Sequence, residues 1–216
     1  MSDSSTVGVR EALFGDMPLS KWTAPSRQAT VSEPLSSFER AKLFIESGDT
    51  QQAKAALRGI LEIPGLESRQ YLQAYHFLRQ LGEVPTQELS KRVLGVVVEV
   101  GMRNGLDLIA GYADHSARYY NYSGAAVIWE RPNDTLDIVI DELLRVGGVV
   151  VQVIGPSQEA RRPAPSRGHA RISLLTPSGL HFGQGLLDAF AKDKLAGPVL
   201  AAAFRLMQEL IRLTKK

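Results

Sequence analysis

"TPSGLHFGQG", residues 176–185, sets Gly179, Gly183 and Gly185 directly ahead of a stretch with helical spacing, "LLDAFAKDK". Read as a phosphate-holding loop, it would make the chain a nucleotide-using α/β protein; read as a hairpin, it makes the surrounding sheet antiparallel. A phosphate cradle needs a lysine and a serine or threonine at the start of the helix, so that backbone amides and an ammonium meet the charge together. Here Leu186, Leu187 and Asp188 follow Gly185, and the next lysine is Lys192. An acid in the first helical turn opposes a bound anion. "TPSG" instead puts Pro177 and Gly179 where a tight turn favours them, between "ARISLL" and "LHFGQ". The stretch is a hairpin, and pairing across it sets His169 opposite a residue near 186.

Outward from this hairpin the pattern repeats. "KRVLGVVVEVG" reads as a strand, "RNG" as a turn, "LDLIAGYAD" as a strand and "SARYYNYSGAAVIWE" as one or two more. "PNDTLDIVIDELLRVG" has the spacing of an amphipathic helix, "GVVVQVIG" the β-branched run of a strand, and "GPVLAAAFRLMQELIRLTKK" that of a closing helix. Short turns imply mainly antiparallel pairing, with the helices packed on one face. Residues 88–216 are therefore expected to form an α+β domain.

Residues 1–35 are rich in Ser, Thr and Pro and read as a disordered or extended arm. Within it, "EALFGDMPLSKW" carries Phe14, Met17, Leu19 and Trp22, either packed on the protein's own surface or docked into a partner. Residues 36–84 are helical: "SSFERAKLFIES", "DTQQAKAALRGILEI" and "ESRQYLQAYHFLRQLG" each show apolar residues at i, i+3, i+4. Gly48 and Gly82, each following a helix, stand 34 residues apart, a spacing equal to the repeat length of tetratricopeptide repeats.

On Ala41, Phe44, Gly48, Ala53, Leu57, Ile60 and Pro64, with Tyr71, Ala74, Tyr75 and Leu78 on the next helix, residues 36–84 resemble a tetratricopeptide-repeat (TPR) segment. The resemblance covers about a quarter of the chain, one repeat and half of another. It implies a helical hairpin plus a third helix, and binding to another protein. After Gly82, "EVPTQELSKRVLGVVVEV" lacks the small residue of a second crossing helix and turns into strand. The concave groove of about three or more stacked repeats is therefore not expected.

The composition bounds the function. The 216 residues carry 25 Lys and Arg against 23 Asp and Glu, so a strongly basic surface is absent and nucleic acid is not the expected partner. No cysteine is present, which excludes disulfides, thiolate nucleophiles and cysteine-held metals and fits a reducing cytoplasm. No run approaches the roughly 18 apolar residues of a membrane span.

"ADHSARYYNYSG", residues 113–124, is the richest in functional groups. Its Asp114 and His115 are neighbours and would point to opposite faces of a strand, so "ADHS" reads as a hairpin turn rather than part of a triad. Beyond it Arg118, Tyr120 and Tyr122 share one face, and Tyr119 and Asn121 the other. The four histidines, His76, His115, His169 and His181, show no metal-ligand spacing, so neither a metal nor a cofactor is expected. "GPSQEARRPAPSRGHAR" gathers Arg161, Arg162, Arg167 and Arg171 in what reads first as a solvated, mobile loop and second as an electrostatic contact with an acidic protein surface or, less so, nucleic acid.

No stretch supplies a nucleophile, an oriented base and an oxyanion site together. The leading expectation is a non-catalytic cytoplasmic adaptor or accessory protein that contacts another protein through Phe14, Met17, Leu19, Trp22, Arg161, Arg162 and Arg167. The alternative is a small hydrolase or ligand-binding enzyme with a pocket around Asp114, His115, Tyr120, Tyr122 and His181. Self-association through the TPR-like face is a third reading.

Overall fold

The structure, a computed structural model, describes residues 9–18 and 32–214. Six strands form one antiparallel sheet: β1 (Gly95–Met102), β2 (Gly105–Tyr112), β3 (Ala117–Tyr120), β4 (Ala126–Trp129), β5 (His169–Thr176) and β6 (Gly179–Leu186), in the order β4-β3-β2-β1-β5-β6. Three helices precede it, α1 (Leu35–Glu46), α2 (Thr50–Leu61) and α3 (Ser68–Gln80), with a single turn, α4 (Gln87–Ser90), leading into β1. α5 (Asp137–Val153) lies between β4 and β5, and a short α6 (Leu187–Phe190) and α7 (Ala196–Thr214) close the chain. The fold is α+β.

The hairpin at 176–185 is β5–β6, with Thr176 opposite Gly179 and His169 opposite Leu186. Gly179 takes a positive φ of 128°, where a side chain would be strained. Gly183 and Gly185 leave room for the Phe190 ring, which lies 3.1 and 3.3 Å from where their Cβ atoms would stand. These two glycines thus serve packing.

Two corrections concern the layers. "GVVVQVIG" is the second half of α5 and not a strand. Val146, Gly147, Val150 and Val151 continue the buried stripe of Val139, Ile140 and Leu143, so helical burial against the sheet overrides valine's strand preference. Both faces of the sheet, not one, are covered. Val96, Val98, Ile109, Ile172 and Leu174 meet α5 and α7. On the other face Val97, Leu108, Ala110, Tyr112 and Leu175 meet α3 and residues 9–14.

α3 faces two ways. Leu72, with Tyr71 at its side, packs on the sheet, while Ala74, Phe77 and Leu78 join Phe38, Ala41, Leu57 and Ile60 in a separate helical core. Its N-terminus carries a capping box between Glu67 and Gln70.

Residues 9–18 fold against the sheet. Leu13 and Phe14 are 1% and 3% exposed. The Tyr112 hydroxyl donates to the Leu13 carbonyl (2.7 Å), and the Gln73 amide clips Met17 through its backbone N–H and C=O at 2.9 and 3.0 Å. Over the adjoining part of this face runs the 155–168 segment, whose Ser166 carbonyl would lie 2.1 Å from a Cβ at Gly101. The Gly168 N–H donates to the Gly101 carbonyl at 2.9 Å.

Gly101→Ala must push this strap off the sheet, and a loss of about 2–3 kcal/mol in urea unfolding is expected. Gly48→Ala, at φ +80° with no atom within 4 Å of its Cβ, is expected to cost only about 1 kcal/mol. Equal losses would contradict the close packing at Gly101.

Candidate functional site

Glu99 lies in β1 directly opposite Arg171 of β5, and its carboxylate is fully buried. Arg10 donates from Nε to Glu99 Oε1 at 2.6 Å, and Arg171 reaches Oε2 at 3.4 Å. Arg171 also donates to Gln184 Oε1 at 2.6 and 2.9 Å, and to the carbonyls of Arg162 and Pro163 at 3.0 and 2.7 Å. Arg10 donates to the same Arg162 carbonyl at 2.7 Å. The sheet, arm and strap therefore share one polar centre.

Arg161 extends the network. Its guanidinium pairs with Asp16 (2.8 Å) and Glu11 (2.8 Å) and lies 4.2 Å from the centre of the Phe14 ring. Burial alone would lower its pKa, but the two carboxylates outweigh this and raise it. The acidic surface met by this arginine is thus the chain's own arm.

The expected partner-binding residues among those described lie on the arm and the strap. Phe14 is buried beneath Arg161, and Met17 is half-buried against α3. Arg162 pairs with Glu159 and stacks over Phe182 at 5.2 Å, while Arg167 is exposed. Leu19 and Trp22 lie outside the described residues.

The groups of the alternative pocket do not converge. Asp114 accepts from the Ser68 N–H at 2.7 Å and from the N–H and hydroxyl of Ser116 at 2.9 and 2.7 Å, so its carboxylate joins the β2–β3 turn to the start of α3. His115 turns to the start of α5, with Nε2 2.9 Å from Asp141 and Nδ1 2.7 Å from Arg131. Tyr120 packs on the arm-covered face. Tyr122 stands exposed beyond β3, its N–H bonded to Asp107. His181 is buried between the Ile154 carbonyl (2.9 Å) and the Ser178 hydroxyl (3.2 Å).

Among the described residues two concave surfaces approach 500 Å³, and a smaller one of about 200 Å³ lies near Arg118 and Glu130. The first, about 490 Å³, runs between α1 and α2 and is lined by Arg40, Phe44, Gln52, Ala55, Gly59 and Ile63. The second, about 480 Å³, lies between α3, the segment entering β1 and the 113–114 turn. Asp114 alone of the expected pocket residues lines it. Tyr71 and Tyr75, four residues apart and read from the sequence as core of the third helix, form part of its wall.

Burial lowers the pKa of His181, and burial with the nearby Arg79 charge lowers that of His76. Each imidazole therefore takes a proton more readily in the unfolded chain. The stability it contributes is full above the unfolded value of about 6.5 and is lost as pH falls through that value toward the lower folded one. The thermal midpoint should fall between pH 7.5 and 5.5, and the slope should shrink when His76→Gln and His181→Gln are combined; an unchanged slope would refute the assignment.

Among the described residues no group of three or more His, Cys, Asp or Glu side chains could hold a metal ion, and no helix is long and apolar enough to cross a membrane. Comparison of the chain with protein-family models, curated proteins and solved structures finds no match.

Proposed function

We propose that the protein is a non-catalytic adaptor that binds another protein through the groove between α1 and α2. The observation that carries this reading is the groove itself. Its walls combine apolar Phe44, Ala55 and Ile63 with polar Arg40 and Gln52, the mixture of a partner-binding surface. α1 and α2 share their core with α3 and lie outside the cores of the two sheet faces.

The TPR-like reading of residues 36–84 belongs to the same proposal. In stacked repeats each helical pair buries its flank against the next; here Leu43 on α1 is 65% exposed, and a partner would supply the missing layer. The sheet and its arm serve as the platform for this hairpin. A cysteine-free chain suits work in a reducing cytoplasm.

Gly59 offers a clean test, because a Cβ there meets nothing within 4 Å and replacing a helical glycine favours the helix. Gly59→Arg should fill the groove and keep the fold. The full chain, purified by affinity from its native host, is expected to carry a stoichiometric protein partner, and Gly59→Arg to lose it with an unchanged thermal midpoint. Retention of the partner by the variant, or recovery of the wild-type chain alone or paired only with itself, would overturn the proposal.

A further inference from the structure

We propose that the cleft beside α3 binds a small carboxylate with an apolar body. This site has its own lining and stands whether or not the α1–α2 groove takes a protein. Leu61, Leu66, Leu89 and Leu94 supply the apolar part of a mixed lining, and its volume of about 480 Å³ lies within the range of small-molecule sites.

Two polar groups on this wall are unused. The Arg92 side chain has no hydrogen bond or ion pair among the described residues, and neither does the Tyr75 hydroxyl. Both line the same cleft, and burial raises the Tyr75 phenol while the Arg92 charge opposes that rise. The hydroxyl of Tyr71, in contrast, is spent on the Ile63 carbonyl and the Leu66 N–H.

The other charged groups on the lining are engaged. Asp114 has its three donors, and Arg131 holds Asp137 at 2.6 Å and His115 at 2.7 Å. The lining thus carries two guanidiniums and one carboxylate, a surplus of one positive charge, and its free cation is Arg92. One guanidinium and one phenol on the same lining can each meet an oxygen of a carboxylate. A phosphate dianion would lack a second free cation, and an ammonium ligand would find only the saturated Asp114. The leucine walls then select for an apolar body beside the anionic head.

The test uses sodium octanoate and 2-naphthoate as probes, titrated into the full chain by calorimetry and by amide chemical-shift mapping. At least one should bind saturably, with the largest shifts at Leu66, Tyr75, Leu89 and Ala113, and more tightly than octan-1-ol or octylammonium. Arg92→Gln, at an exposed position, should keep the thermal midpoint and weaken binding roughly tenfold or more. Tyr75→Phe should weaken it by a smaller factor, and Arg167→Gln, an exposed arginine elsewhere, should leave it unchanged. The proposal is overturned if neither carboxylate saturates, if Arg92→Gln binds as the wild type does, if the neutral or cationic probe binds equally well, or if the shifts fall outside the cleft.

Discussion

A carboxylate sits in the middle of the sheet where water does not reach. Glu99, on β1, is compensated by Arg10 from the arm and Arg171 from β5. With Arg161 and its partners the centre holds three guanidiniums, of Arg10, Arg161 and Arg171, against three carboxylates, of Glu99, Glu11 and Asp16. Leaving such a charge buried and unpaired costs about 3–5 kcal/mol. The arm and the strap are therefore required parts of the second face, since they supply what Glu99 and Arg171 cannot supply for each other.

This constraint explains why the molecule is layered on both sides. On the α5–α7 face, aliphatic residues meet aliphatic residues and burial alone suffices. On the other face charged and apolar side chains are interleaved along the strand register: the row Tyr120, Leu108, Glu99, Arg171, Gln184 lies beside the row Arg118, Ala110, Val97, Ser173, Phe182. Such a surface cannot be covered by a plain amphipathic helix. It takes α3 over its apolar end and an arginine-bearing arm and strap over its charged part, and this leaves the α1–α2 hairpin outside the cores of the two sheet faces.

The antiparallel sheet was legible because its turns are written locally. Pro177 and Gly179 mark the β5–β6 turn, and the absence of a lysine after Gly185 removes the phosphate-loop reading; the resulting register holds down to His169 opposite Leu186. The second half of α5 was not legible, since Val149, Val150 and Val151 are strand formers by propensity and become helical only through packing on the sheet. Which of the arm's two readings holds for Phe14 was not legible for a related reason. Phe14 and Arg161 lie 147 positions apart in the sequence, and nothing local shows that one stacks on the other. Arg92 carried no signal at all, because a lone arginine in a short linker gains meaning only once Tyr75 and the leucine walls are placed around it.

The molecule thus joins a charge-locked sheet platform to a helical layer beside which two clefts of nearly 500 Å³ open. In that platform Arg10 and Glu99 hold arm and sheet together. The most direct measurement is a double-mutant cycle on the full chain, with Arg10→Met, Glu99→Met and the double variant compared by urea unfolding. Each single change is expected to cost about 3 kcal/mol and the double variant well below the two combined, a coupling of about 2 kcal/mol. Additive losses within about 0.5 kcal/mol would contradict this and show that arm and sheet do not depend on the pair.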